Sequence, residues 1–91
     1  MAMTNARNMT HRRELILYGT LGCSLCATAL QLAAPEAARA GFELAEVDVA
    51  EDDGLLDAYG TRIPVVRRSD ARGELDWPFD RHALRLFLQD D

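Results

Sequence analysis

The two cysteines of this 91-residue chain, Cys23 and Cys26, stand in a single C-x-x-C motif. A scaffold of disulfides between distant segments is excluded, because it would need several separated cysteine pairs. The chain must instead bury a hydrophobic core, and its length allows one domain with one such core. In a chain of this kind, a C-x-x-C pair indicates redox or metal chemistry.

The segments on either side of the motif predict a strand and a helix. The apolar run 15–18 ends at a glycine, and such a run is typical of a strand buried on both faces. Residues 24–40 are rich in good helix formers, so we predict a helix there that ends at Gly41. Pro35 interrupts this pattern, and we expect a kink there or two short helices in sequence.

The next two elements are predicted from shorter patterns. Residues 42–49 carry enough alternating apolar positions to predict a second strand. Residues 50–53 are suited to cap a short helix, which Gly60 would end. We expect the buried side of this helix to consist of Leu55, Leu56 and Tyr59.

The last third of the chain predicts two strands and a helix. Residues 61–66 predict a turn that enters a strand, and residues 69–73 predict a hairpin loop. Residues 74–77 alternate as an edge strand does, and Pro78 stops them. Asp80 is expected to cap a final helix, whose inward face we predict to be Leu84, Phe87 and Leu88. The order β-α-β-α-β-β-α therefore predicts an α/β fold with a four-stranded mixed sheet and helices on both faces.

The N-terminal pattern, the absence of long apolar stretches and the net charge indicate the extent of the domain, its expected location and the partners it excludes. Residues 1–13 have no periodic pattern, so we predict a flexible arm there and a single domain over residues 14–91. No stretch approaches the ~18–20 apolar residues of a membrane span, and no signal-peptide pattern is present. We therefore expect a cytoplasmic monomer without membrane contacts. The net charge of −5 argues against nucleic acid as a partner, because an acidic surface repels phosphate.

The position of Cys23 predicts a reactive thiol. It follows a buried strand and a glycine-containing loop, and it opens the predicted helix. A helix N-terminus has unpaired N–H groups and a partial positive charge, which should lower the pKa of the Cys23 thiol below ~8.5. Cys23 is therefore the candidate nucleophile. Cys26 lies one turn further on the same side, so we expect it to be less exposed and to act as the resolving thiol.

Two other interpretations of the cysteine pair remain open. A structural zinc site needs four ligands, and only His11 and His82 are available to complete one. An inert pair of small core residues would suit Cys26, since free cysteine packs as a hydrophobe. It suits Cys23 poorly, because Cys23 stands between a glycine and a serine at a helix start.

Three segments, LYGTLGCSLC, RIPVV and GELDWPFD, together with the predicted order of elements, resemble the thioredoxin superfamily. Within it they look most like the small bacterial glutaredoxin-like proteins of unassigned function. The resemblance covers residues 14–89. It implies a thioredoxin-like fold and a glutaredoxin-like thiol–disulfide oxidoreductase, in which Cys23 attacks a disulfide and Cys26 resolves it.

The resemblance also implies a substrate site. In that superfamily the proline before the third strand is cis and lies beside the cysteines, a position that Pro64 takes here. Ile63 would then pair its backbone with an extended partner, and we assign Leu25 and Arg62 to substrate binding as well. The expected partner is a protein or small-molecule disulfide, glutathione included. No bound metal or organic cofactor is expected, and the electron donor is either glutathione or a reductase.

Two alternatives to the enzyme are carried forward. One is a non-catalytic redox-sensing or partner-binding module with an oxidisable pair on the same fold. The other is an iron–sulfur or zinc carrier that uses Cys23 across a dimer.

Overall fold

The computed structural model describes residues 13–70 and 73–89. The predicted arm, apart from Arg13, lies outside the described residues, as do residues 71 and 72 of the predicted hairpin loop. Within those residues the strands and helices follow the predicted order, with a 3-10 turn at Val49–Glu51. They are β1 (Arg13–Gly19), α1 (Ser24–Ala40), β2 (Phe42–Asp48), α2 (Asp53–Tyr59), β3 (Val65–Arg68), β4 (Glu74–Asp76) and α3 (Arg81–Leu88).

The four described strands form one mixed sheet in the order β2-β1-β3-β4. β1 runs parallel to β2, from Arg13 opposite Phe42 to Gly19 opposite Asp48. β3 runs antiparallel to both β1 and β4. The predicted α/β fold with a four-stranded mixed sheet is thus confirmed. Because of these directions, the ends of β1 and β2 and the start of β3 meet at one edge of the sheet.

Helices cover both faces of the sheet, as predicted. Alternate residues of β1 point to opposite faces, because the side chains of a strand repeat every two residues. Leu15 and Leu17 are buried in a core with residues of α1 and α3. Ile16 and Tyr18 face the other way and pack with residues of α2, among them Tyr59, whose ring stacks on Tyr18 with centroids 4.1 Å apart.

Helix α1 is a single continuous helix, so the expectation of two short helices is wrong. Pro35 removes one hydrogen bond to the carbonyl of Gln31, but both residues are exposed. Water can therefore satisfy that carbonyl, and the helix continues. The helix ends as expected at Gly41, which has a left-handed conformation with φ of 82° and donates its N–H to the carbonyls of Ala37 and Ala38.

The expected buried side of α2 is partly wrong. None of its residues is fully buried, and Leu56 is exposed. Leu55 and Tyr59 are half-buried and pack on the sheet. They stand four residues apart and share one face, whereas Leu56 lies about 100° further round this two-turn helix and turns to solvent.

The final helix agrees with its prediction. The side chain of Asp80 accepts a hydrogen bond from the N–H of Ala83 at 2.8 Å, as an N-cap does. Leu84 and Leu88 are buried and Phe87 is half-buried. No described helix is long and apolar enough to cross a membrane.

Candidate active site around the cysteine pair

Cys23 is the N-cap of α1. Its Sγ accepts a hydrogen bond from the backbone N–H of Cys26 at 3.2 Å, in the place where a Ser or Asp oxygen usually caps a helix. The two sulfur atoms are at disulfide distance, and the two Cα atoms lie 5.2 Å apart. The first turn of the helix carries no acidic side chain. The helix end therefore presents donors and a partial positive charge to Cys23 without a nearby carboxylate in that turn to oppose them.

The two cysteines differ in exposure in the order that the sequence predicts. Cys26 is 8% exposed, whereas Cys23 is half-buried and reaches the surface. Cys26 is covered by Gly19, at the end of β1, where an added Cβ would come within 3.1 Å of the Cys26 sulfur. The strand end thus shelters one thiol and leaves the other accessible. Their roles as resolving and attacking thiols stay predictions.

A groove of about 350 Å³ opens beside the cysteines. The end of β1 and the loop of residues 19–22 form one wall, and the first turns of α1 and the end of β2 form the others. Apart from the two cysteines, the ionisable side chains that line it are Glu46 and Asp48. Neither carboxylate was predicted from the sequence pattern. The register could have indicated Asp48, because parallel strands end at the same edge of a sheet and Asp48 lies opposite Gly19.

The segment Ile63–Pro64 has the cis peptide bond that the resemblance implies. β3 begins at Val65, which pairs with Tyr18. Because the two strands are antiparallel, Pro64, the residue before Val65, lies on the side of Gly19, at the edge of the sheet that carries the cysteines. The N–H of Ile63 donates to the carbonyl of Tyr59 at 3.0 Å. Only the carbonyl of Ile63 is therefore left to pair with an extended partner, and its role in binding stays a prediction. Neither Ile63 nor Pro64 lines the groove.

Leu25 and Arg62 have different surroundings. Leu25 lies between the cysteines and is 48% exposed. The guanidinium of Arg62 donates to Glu74 at 2.6 Å and to Asp76 at 2.8 and 3.1 Å. Hydrogen bonds from Arg62 lower the pKa of both carboxyl groups. Its assignment to substrate binding stays a prediction, and two carboxylates of β4, which the sequence pattern did not indicate as its partners, already neutralise its charge.

The described residues also bear on the metal alternative. Within residues 13–70 and 73–89, no group of three or more His, Cys, Asp and Glu side chains is arranged to hold a metal ion. His82 lies exposed on α3, and His11 is outside the described residues.

Comparison with known proteins agrees with this fold. The model of the family described as Glutaredoxin-like domain (DUF836) matches residues 14–89. A protein from X. campestris, solved by X-ray crystallography, is 39% identical, with a TM-score of 0.68 over 81% of this chain and 93% of its own. A protein from Nitrosomonas europaea, solved by NMR, is 25% identical, with a TM-score of 0.71 over 87% of this chain and 94% of its own. No curated protein matches this chain.

The family match spans most of the chain and contains the cysteine pair and all of the sheet except Arg13. The glutaredoxin-like domain and the cysteine pair at disulfide distance together support a thioredoxin-like redox fold. With its four-stranded mixed sheet, its C-x-x-C at the start of α1 and its match over residues 14–89, the chain belongs to the glutaredoxin-like (DUF836) family.

Proposed function

We propose that this protein is a thiol–disulfide oxidoreductase with a dithiol mechanism. The observation that carries the proposal is the hydrogen bond of 3.2 Å from the N–H of Cys26 to the Sγ of Cys23 at the start of α1. In the reduced protein, the same N–H and the helix dipole favour the thiolate over the thiol. They lower the pKa of Cys23, and the thiolate is the form that attacks disulfides.

The reaction takes two exchange steps. The Cys23 thiolate attacks one sulfur of the substrate disulfide, forms a mixed disulfide with it, and releases the other half of the substrate as a thiolate. The thiol of Cys26 then loses its proton to solvent and attacks the sulfur of Cys23. The second half of the substrate leaves as a thiol, and the Cys23–Cys26 disulfide remains. Two electrons pass from the protein to the substrate.

The exposure of the cysteines supports this division of roles. Cys23 is open to a partner, whereas Cys26 is 8% exposed and has the sulfur of Cys23, which it attacks, directly within reach. A thiol donor, either glutathione or a reductase, returns two electrons to the disulfide and closes the cycle. Such a cycle needs a compartment in which cysteines are kept reduced, so the proposal includes the cytoplasm as the site of action.

Trapping with single-cysteine variants tests the proposal. We expect reduced Cys26→Ser to form a stable mixed disulfide with 2-hydroxyethyl disulfide, detected by mass spectrometry, because the resolving thiol is missing. Cys23→Ser is the matched control and should react at least about tenfold more slowly, since its remaining thiol is sheltered. The rate of alkylation of Cys23 should rise with pH as the thiolate forms, and the midpoint of this rise should lie below pH ~8.5.

Two outcomes would contradict the proposal. Equal trapping by both variants would remove the assignment of attacker and resolver. A wild-type protein that forms its disulfide but does not turn over with a thiol donor would be a redox-sensing module and not an enzyme.

A further inference from the structure

We infer that the substrate is a peptide or protein disulfide with a basic residue and an apolar residue beside its cysteine. This inference rests on the proposed function, since it names the substrate class of the same site. It is carried by the charge of the groove next to the cysteines and by the apolar side chains around it.

Two carboxylates line the same groove as the reacting sulfurs. Glu46 and Asp48 both line it, together with Cys23 and Cys26. Glu46 is exposed and Asp48 is half-buried, at the end of β2. A partner that covers the groove would therefore bring its own side chains next to these two negative charges.

No cation among the lining residues balances these carboxylates. Residues 19–31, which form the loop and the first turns of α1, carry no charged side chain. Arg62, in the loop before β3, is already held by Glu74 and Asp76. The side chains that line the groove therefore carry a net negative charge, which attracts a cationic partner and repels an anionic one. Glutathione carries a net negative charge, so the groove favours a basic partner over it.

Two large apolar side chains close to Cys23 are exposed, Leu21 in the lining of the groove and Leu25 outside that lining. Leu21 is 89% exposed and Leu25 is 48% exposed, two residues before and two residues after Cys23. Large apolar side chains on both sides of an exposed cysteine are typical of a surface that a partner covers. A small disulfide such as 2-hydroxyethyl disulfide has no apolar or cationic side chains to pair with the leucines and the carboxylates. A peptide segment carries both kinds of side chain, and its apolar side chains would bury the leucines.

Matched peptide disulfides test the inference. Three short peptides would each carry one cysteine as a mixed disulfide with 2-mercaptoethanol: one with Leu and Lys beside the cysteine, one with Leu and Glu, and one with Ser and Lys. The measurement is the second-order rate constant with the reduced wild-type protein, divided by that with dithiothreitol. We expect the Leu–Lys peptide to react roughly threefold to tenfold faster than the Leu–Glu peptide, and about twofold faster than the Ser–Lys peptide.

Salt and two charge variants identify the source of the preference. The ratio of the Lys to the Glu peptide should fall towards one in ~1 M salt, where exposed charges are screened. It should also fall at least about twofold in Glu46→Gln/Asp48→Asn. Asn can still cap the 3-10 turn that Asp48 caps through the N–H of Ala50, so this variant keeps the local fold. The matched control, Glu43→Gln/Asp57→Asn, removes two exposed carboxylates that do not line the groove and should keep the ratio.

The outcomes separate this inference from the proposed function. If the Lys and Glu peptides react equally, or the double variant at the groove keeps the full ratio, the basic substrate is ruled out while exchange through Cys23 stands. If the Ser–Lys peptide reacts as fast as the Leu–Lys peptide, the apolar requirement is ruled out. If none of the peptides forms a mixed disulfide with Cys23, the proposed function fails and the inference fails with it.

Discussion

Gly19 lies directly against the sulfur of Cys26. A Cβ added at Gly19 would stand 3.1 Å from the Sγ and 3.2 Å from the Cβ of Cys26, closer than ordinary van der Waals contact. The end of β1 therefore approaches the first turn of α1 more closely than most residues with a Cβ would allow. Gly19 thus limits the space around the sulfur of Cys26. The sulfur of Cys23 instead accepts a hydrogen bond from a backbone N–H at the start of the helix.

Gly19→Ala should slow the resolving step selectively. The added methyl group displaces the sulfur of Cys26 by a few tenths of an ångström, and misplaced reacting atoms lose rate. We expect the mixed disulfide on Cys23 to live about threefold to tenfold longer, with its rate of formation changed by less than about twofold. Time-resolved mass spectrometry of acid-quenched samples measures both steps. Thr20→Ser, in the same loop, is the control, and an equal slowing of both steps in Gly19→Ala would contradict the prediction.

Glu36 should make stability depend on pH. Its side chain is 2% exposed, and it accepts a hydrogen bond of 2.9 Å from Arg85, which joins α1 to α3. That hydrogen bond, together with the charges of Arg85, Arg39 and Arg81, lowers the pKa of Glu36 below its ordinary value of 4.5, although burial opposes the shift. A carboxyl group with a lowered pKa in the folded state stabilises the fold above that ordinary value. This contribution is lost as the pH falls below 4.5 and through the lowered pKa.

Urea unfolding at a series of pH values checks this prediction. Glu36→Gln should lower the free energy of unfolding at pH 7, and its difference from wild type should shrink steadily below a pH of about 4.5. Glu51→Gln, at an exposed position, is the control and should change little. A difference between wild type and Glu36→Gln that stays constant down to pH 3 would show that the ion pair is not its source.

Arg68 should be essential to stability. It is 1% exposed, and its guanidinium donates to the carbonyls of Phe87 and Gln89 at 2.9 and 3.2 Å, at the end of α3. It also donates to both carboxylate oxygens of Asp70, at 2.7 and 3.0 Å. Arg68→Met leaves these acceptors without their donor, so we expect the free energy of unfolding to fall by about 2–4 kcal/mol. The ammonium of Lys cannot make the planar, bidentate hydrogen bonds of a guanidinium. Arg68→Lys should therefore lose less free energy of unfolding than Arg68→Met but still be less stable than wild type.

Chemical denaturation of Arg68→Met, Asp70→Asn and the variant with both substitutions gives the coupling between the two side chains. We expect a coupling energy of about 1 kcal/mol or more, because the pair is partly buried and bidentate. Additive effects of the two substitutions would mean that Arg68 acts through the helix carbonyls and not through Asp70.

Arg62→Ala should have little effect on anionic substrates. Because Glu74 and Asp76 already hold its guanidinium, we expect the rate with glutathione disulfide to change by less than about twofold. The pKa values of both carboxyl groups should rise, since the hydrogen bonds from Arg62 are the largest cause of their lowering. NMR titration measures the pKa values, and a thiol-exchange assay measures the rate. A selective loss of rate with the anionic disulfide would instead support the role that the sequence predicts for Arg62.

Local chemistry allowed much of this fold to be predicted from the sequence. The apolar run before the cysteines, the capping side chain of Asp80 and the glycine at position 41 each act on neighbouring backbone, so their effects follow from the sequence around them. The same holds for Cys23, whose place at the start of α1 needs only a strand, a loop and a helical pattern.

Other features were beyond sequence reasoning because they depend on residues far apart in the chain. The partner of Glu36 is 49 positions away, and Arg68 reaches carbonyls 19 and 21 positions away. The continuity of α1 at Pro35 depends on which side of the helix faces water.

The sequence by itself determined a C-x-x-C pair between a buried strand and a helix, and with it the expectation of redox chemistry. Only the tertiary structure decided what surrounds that pair. The parallel pairing of β1 and β2 brings Asp48 opposite Gly19 and places Glu46 in the groove wall. It is the sheet register, which is set by the burial of alternate side chains on its two faces, that gives the site its negative charge.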